Sequence, residues 1–408
     1  MELCVLFLGA FLIMEYQFYR TCITPFFIIG LIYFCSIPFI NVLGPWLGYY
    51  EISNTSMGLF SLYLAILFLC DIPCKLYKNN PINDSQKRES LFIKHQELIW
   101  YIFCVMLLGY ALSLVQAIGL YGLENIKGKS GGIFGHMGLF CLALSPMIVY
   151  IFAKAKKIRY MLGIIVLYVV LFLFGVKSYI FISIITSCIL ICFEKRVTLG
   201  SLLKIGLILI SLALVTFLLI YGVLPILRGG ISEPDQIVEV IRDAFEHLFY
   251  YFASPFLGSN TYFMNPIHNG LDQGMRVLFA PIVSLYEAFV GEQNYPTVIM
   301  DFWAPISADA HRTHTNVGGM FSEAVYHVGY VWTGMFVLCI GLYCSLFNFA
   351  RRVSIYFHMS ASLAISLLAL CFFCNYFTLL SVLEIVVYSF VIEYILLILD
   401  KKSVRIVL

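Results

Sequence analysis

The runs LGIIVLYVVLFLF and YIFISIITSCILICF carry no charge, and only Gly175, Val176, Lys177 and Ser178 separate them. Such a segment has no polar face to offer water, and about 20 apolar residues cross the hydrocarbon core of a bilayer as a helix. Comparable runs recur near residues 1–19, 22–47, 52–74, 97–119, 133–153, 160–176, 178–193, 205–225, 329–349, 358–379 and 381–399. The chain of 408 residues is 61% hydrophobic and 12% charged, too little polar surface for a soluble fold of this length. The sequence therefore predicts an all-α polytopic integral membrane protein with about eleven transmembrane helices. The N-terminal stretch MELCVLFLGAFLIMEYQFYR lacks a basic leader and a small-residue cleavage site, so it reads as a span and not as a signal peptide.

The net charge of +2 says little, because Lys and Arg report topology by the side of the membrane they occupy. If the C-terminus with Lys401, Lys402 and Arg405 is cytoplasmic, alternate connections place further basic residues on the same side. These are Arg20; Lys75, Lys78, Lys87, Arg88 and Lys94; Lys154, Lys156, Lys157 and Arg159; Lys195, Arg196 and Lys204; and Arg351 with Arg352. That side then holds 18 of the 25 basic residues, which predicts the N-terminus outside and the C-terminus inside. No basic face or aromatic-plus-basic module supports nucleic-acid binding. Most of the 13 cysteines sit inside apolar runs and read as small buried hydrophobes. Cys371 and Cys374 form a CxxC in mid-span, without the second pair that a zinc site needs.

Three parts follow: an N-terminal bundle over 1–225, a large external loop over 226–328, and C-terminal helices over 329–408. A connection as long as the loop is usually functional. Within it PDQIVEVIRDAFEHLFYYF places Ile237, Val240, Ile241, Ala244, Phe245, Leu248, Phe249 and Phe252 on one helical face, with Ser232 as N-cap. Such a helix would lie in the membrane interface. The following VLFAPIVSLYEAFV is too short to cross and contains Pro281 and Glu287, which predicts a re-entrant or interfacial piece.

Seven basic residues face outward under this topology, and four of them, Arg228, Arg242, Arg276 and Arg312, belong to the loop. Lys177 lies between two apolar spans, where it either snorkels to the interface or points a cation into an aqueous cavity. Arg228 stands before two glycines at headgroup depth, and Arg276 and Arg312 precede apolar segments at similar depth. Each is either an interface anchor or a phosphate ligand, since the arginine fork binds phosphate through two hydrogen bonds. His311 and His314 are spaced to share one helical side, and with Asp309 they could ligate zinc. His314 or Glu323 could instead accept a hydroxyl proton at the mouth of the ninth span, or the stretch could merely cap that helix through Thr315 or Asn316. Trp303, Tyr262, Tyr295 and Phe302 supply aromatic faces on which sugars stack, although interfacial belts have the same composition.

The layout of about a dozen spans, a large external loop in the second half, Gly175-Val176-Lys177-Ser178 opening a short span, and the glycines Gly318, Gly319, Gly329 and Gly334 resembles the O-antigen polymerase (Wzy) family. The resemblance implies a bacterial inner-membrane glycosyltransferase acting at the external face. It would polymerise undecaprenyl-diphosphate-linked oligosaccharide repeat units of O-antigen or capsule. Lys177, Arg228, Arg276 and Arg312 would hold the diphosphates, His314 or Glu323 would act on the acceptor hydroxyl, and Trp303 and Tyr262 would bind sugar. No metal or other cofactor is expected when cations neutralise the leaving group. Expected partners are the lipid-linked glycans, membrane lipids, a chain-length regulator and a flippase. An O-antigen ligase-like transferase shares the donor and the layout, and a lipid-linked oligosaccharide flippase is the rival from the transporter class. A flippase should show two related halves with short loops on both sides.

Overall fold

The computed structural model describes all residues except 77–89, 123–124, 127–131, 194–198, 219–220, 223–225, 227–232, 292–295, 297–301, 311, 354–356 and 401–408. Helix dominates, and each of the eleven apolar runs contains one. The N-terminal helices are α1 (Glu2–Tyr19), α2 (Pro25–Leu43), α3 (Asn54–Cys70) and the short α4 (Ile72–Leu76). Then follow α5 (Leu91–Lys94), α6 (Gln96–Tyr121), α7 (Gly132–Ala155), α8 (Ile158–Leu173), α9 (Lys177–Cys192) and α10 (Leu199–Leu218). The long connection carries α11 (Pro234–Tyr262), α12 (Leu271–Leu278) and α13 (Ala280–Val290), and the chain closes with α14 (Met320–Val353), α15 (His358–Leu370) and α16 (Leu380–Leu399). Among the described residues the only strands are β1 (Ala304–Pro305) and β2 (His314–Thr315), antiparallel with Ala304 opposite Thr315.

Among the described residues six helices, α1, α2, α6, α7, α14 and α16, are long and apolar enough to cross a membrane. Their outward faces are apolar too: on α6 Tyr101, Val105, Leu108, Leu112 and Val115 form an exposed stripe at helical spacing. Helix α13 is inverted relative to a soluble helix, with Pro281, Ser284 and Glu287 inward and Ile282, Tyr286 and Phe289 outward. Exposed apolar area on this scale marks a surface that meets lipid rather than water.

Among the described residues the two large hydrophobic cores lie one among α1–α3, α11 and α14, the other among α5–α9 and α16. Helix α15 lies between them. Its Ala364 and Leu368 belong to the first core and its Met359, Leu363 and Leu367 to the second, so every residue from Met359 to Ala369 is buried. The N-terminal N–H groups of such a helix cannot reach water, and Glu393 of α16 accepts them: Met359 N donates at 2.6 Å and Ser360 N at 2.9 Å, with the Ser360 hydroxyl at 2.5 Å. A second buried carboxylate, Glu15 on α1, is fully enclosed, 2.7 Å from Lys75 Nζ of α4, and accepts from Thr24 Oγ1 at 2.6 Å. The nearby Arg352 guanidinium covers the Tyr19 ring at 3.7 Å.

Three elements differ from the sequence expectation. Helix α11 reaches Tyr262, and Ala253 to Ser259 of its second half are buried. It is not an interfacial helix along its length, because Phe256 packs on Tyr33 and Phe372 in the first core. Its N-cap position is Glu233, and Ser232 lies outside the described residues. Helix α14 is two helical pieces joined at Gly329, whose φ 77° and ψ 178° are not helical: the second piece is the span expected from residue 329, and a piece from Met320 precedes it. Only glycine adopts that backbone readily. The carbonyls of Val325 and Tyr326 at the kink accept from Ile267 N at 3.4 Å and His268 N at 2.9 Å, so the 263–270 connection docks there. Gly329→Ala should destabilise by about 1–3 kcal/mol, read as a lower melting temperature of the detergent-solubilised protein. An unchanged melt would mean the kink is not fixed by glycine. Helix α15 stops at Leu370, short of the expected 379, and the chain continues through a turn and a 3-10 segment at Tyr376–Thr378.

Candidate functional site

The interruption over 371–379 sits in the interior. Cys371, Asn375, Tyr376 and Thr378 are buried, and the backbone is satisfied locally through Phe373 N to Leu370 O at 3.0 Å and Thr378 N to Asn375 O at 3.2 Å. Irregular backbone inside an apolar bundle is tolerated where protein or a polar cavity surrounds it, and there it marks function. Helix α11 covers one side, through Tyr251 against Phe373 and Phe256 against Phe372.

The other side is the pre-kink turn of α14. Met320 N donates to Cys371 O at 2.8 Å, and a Cβ on Gly319 would fall 2.4 Å from Phe372 O, so glycine is what lets the two backbones meet. This approach carries Ser322, Glu323 and His327 into the interior, all buried. Glu323 Oε2 accepts from Asn375 N at 3.4 Å. The side-chain amide of Asn375 is completely buried, and neither its oxygen nor its nitrogen has a hydrogen-bond partner among the described residues. An amide left in that state costs about 1–3 kcal/mol per unpaired group, which points to a polar guest. A carboxylate and an unpaired amide at a helix break form the centre of the site. Asn375 escaped sequence reading because only the end of α15 at Leu370 turns it out of a helix.

The residues nominated from sequence distribute around this centre unevenly. Glu323 lies in it. His314 is on β2, exposed, with Nδ1 at 2.8 Å from the Thr313 hydroxyl, and its carbonyl accepts from Tyr250 OH at 3.0 Å. Thr315 does not cap α14: its hydroxyl accepts Val317 N at 3.0 Å and the helix starts later, at Met320. Arg312 is exposed, its guanidinium 5.3 Å over the Tyr250 ring. Burial pushes the neighbouring Tyr49 phenol up to about 12, with Glu246 adding to the rise and Arg312 opposing it. Arg276 pairs with the buried Glu287 of α13 and so sits elsewhere on the loop, on a different partner from Arg312. Arg228 and His311 lie outside the described residues; Lys177 opens α9, and its side chain lies outside them also.

Trp303 is 55% exposed and presents a face. Tyr262 does not. Its ring is fully buried and its hydroxyl donates to Phe302 O at 3.1 Å and Thr315 O at 2.9 Å, so it ties the loop to α11 and offers no surface to a sugar. Cys371 and Cys374 are free thiols at the helix end, and among the described residues no three His, Cys, Asp or Glu side chains gather as metal ligands.

A family model described as "Family of unknown function (DUF6337)" matches residues 89–406. No curated protein and no solved structure matches the chain.

Proposed function

The chain belongs to that family of unknown function, matched over most of its length, and from this premise we propose that it is a membrane glycosyltransferase resembling the O-antigen polymerases. In this reading all eleven apolar helices cross a bacterial cytoplasmic membrane, with the short basic connections inside and the 226–328 segment outside. The observation that carries the proposal is the buried pair of Glu323 and Asn375 at the broken α15–α16 connection. An amide and a carboxylate in an apolar bundle match the donors and acceptors of a sugar, whereas a lipid tail has no use for them. Under the topology above, the break lies toward the external end. A thirteen-residue α15 at about 1.5 Å per residue rises about 20 Å of a hydrocarbon core of about 30 Å.

The reaction transfers a growing glycan from undecaprenyl diphosphate to a hydroxyl of a second lipid-linked unit. The leaving diphosphate is anionic and needs cations at headgroup depth. We assign this role to Arg312, which is exposed on the segment that leads directly into α14. Arg276, already matched to Glu287, orders the loop. Glu323 positions the turn and the sugar.

A deletion strain tests the function. Lipopolysaccharide core carrying a single repeat unit, in place of a ladder, is the expected pattern. Core with no repeat unit would indicate a ligase or a flippase, and an unaltered ladder would exclude glycan assembly altogether. Within the strain complemented by Arg312→Ala, the ladder should weaken about tenfold, the loss of one charge-assisted contact worth about 1.4 kcal/mol, while the protein accumulates normally. An undiminished ladder would remove Arg312 from the site.

A further inference from the structure

A separate cleft of about 250 Å³ opens among the first turns of α7, α9 and α16, lined by His136, Tyr110, Val176, Tyr179 and Ser381. It adjoins the broken connection, since Asn375 and the cleft residue Ser381 are joined only by the 3-10 segment and the start of α16. From its wall His136 Nδ1 donates to Oε2 of Glu384, a residue behind the lining, at 2.6 Å, and the Tyr388 hydroxyl donates to the same oxygen at 3.5 Å. Tyr179 donates to the Ser381 hydroxyl. One wall is glycine. Gly132, Gly135 and Gly138 fall every third residue on α7, and Gly138 accommodates the Tyr110 ring, whose carbons would lie 2.7–2.9 Å from a Cβ there.

We infer that His136, on the wall of this cleft, and Glu384 behind it form a catalytic dyad, with His136 as the general base that deprotonates an acceptor sugar hydroxyl. The dyad rests on the glycosyltransferase reading and assigns its acceptor side. The His136 side chain is 56% exposed and that of Glu384 21%. A hydrogen bond so exposed adds little to stability, so holding the fold is a poor reason for it. A carboxylate on Nδ1 fixes the tautomer and ring orientation, and it stabilises the imidazolium that forms when Nε2 takes a proton. His314 is held by a neutral hydroxyl and lacks that support. The cleft is smaller than the usual drug-sized pocket of about 300–1,000 Å³, which suits the end of a glycan and not a whole repeat unit.

The step balances without a further reactant. Nε2 of His136 accepts the acceptor's hydroxyl proton, the acceptor oxygen bonds to the donor's anomeric carbon, and the carbon–oxygen bond to the diphosphate breaks. The bonding pair leaves with the lipid diphosphate, and the imidazolium later gives its proton to water. His136 is catalytic; Glu384 is a positioning residue.

The test uses membranes containing the full chain, supplied with the undecaprenyl-diphosphate-linked glycan pool extracted from a deletion strain, with polymer followed on gels. The native chain should make polymer. His136→Ala should lower the rate about a hundredfold or more, and added imidazole should restore part of it. Glu384→Gln should lower kcat and leave KM unchanged, because the cleft keeps its volume. Detergent melts of each variant report folding. Native protein that makes no polymer overturns the transferase reading and the dyad with it. An active native chain with a His136→Ala variant above a tenth of its rate overturns the dyad alone. A loss that imidazole does not recover marks a packing role and overturns it as well.

Discussion

Gly274→Ala should leave almost no folded protein. Helix α12 crosses the pre-kink turn of α14 so closely that a Cβ at Gly274 would lie 1.8 Å from the His327 carbonyl oxygen and 2.6 Å from its carbon. Both are backbone atoms, so no side chain can rotate away. The 263–270 connection holds the same turn through Ile267 and His268, which stops α12 from simply lifting off. The added methyl therefore forces α12 and α14 apart, at about 3 kcal/mol or more. Gly119 of α6 is the matched control, because a Cβ added there would meet nothing within 4 Å. Gly119→Ala should be neutral or stabilise by about 0.5–1 kcal/mol. Accumulation in membranes and a detergent melt read both, and a Gly274→Ala protein that melts like the native one would refute the contact.

Glu393→Ala should be nearly as damaging. The residue is 2% exposed, and the side chain is the shared acceptor for the N–H groups of Met359 and Ser360 and the Ser360 hydroxyl. Its removal strands donors at the buried start of α15, where water has no ready access, at about 1–3 kcal/mol for each donor left unsatisfied. The expected result is a melting temperature lowered more than by Gly329→Ala. Glu393→Gln keeps one accepting oxygen and should fall between the native protein and Glu393→Ala. Equal losses for the two variants would show that charge, and not acceptance, is what matters. The effect should also reach the site, because α15 carries the break at its far end.

Helices were legible because apolar length and the lack of charge are local properties, and so α1, α6, α7 and α16 begin and end within a few residues of where the sequence puts them. The departures arise where a tertiary contact decides. Gly329 reads as a glycine at the mouth of a helix, and it is one for the second piece of α14; the piece from Met320 that precedes it, against the docked 263–270 connection, is what the sequence does not announce. Nothing in FCNYFT announces that α15 stops at Leu370, because the carbonyl of Cys371 is claimed by Met320 from another segment. The centre was half visible. Glu323 stands out as a carboxylate at the head of an apolar run, while Asn375 gains its character only from the break. His136 and Glu384 are 248 residues apart, and no spacing rule connects them. Tyr262 shows the reverse: an aromatic in a polar loop invites a surface role, and the fold uses it as a tie.

The enclosed pair of Glu15 and Lys75 bears on the order in which the chain can be assembled. Helix α1 is synthesised with a carboxylate near its end, and that group has no counter-charge until α4 has been made. An ionised side chain in an apolar setting is stable only with its partner. Helix α1 thus settles only after α2 and α3 have brought Lys75 back beside it. Helix α1 is held by a residue that the ribosome reaches only three helices later.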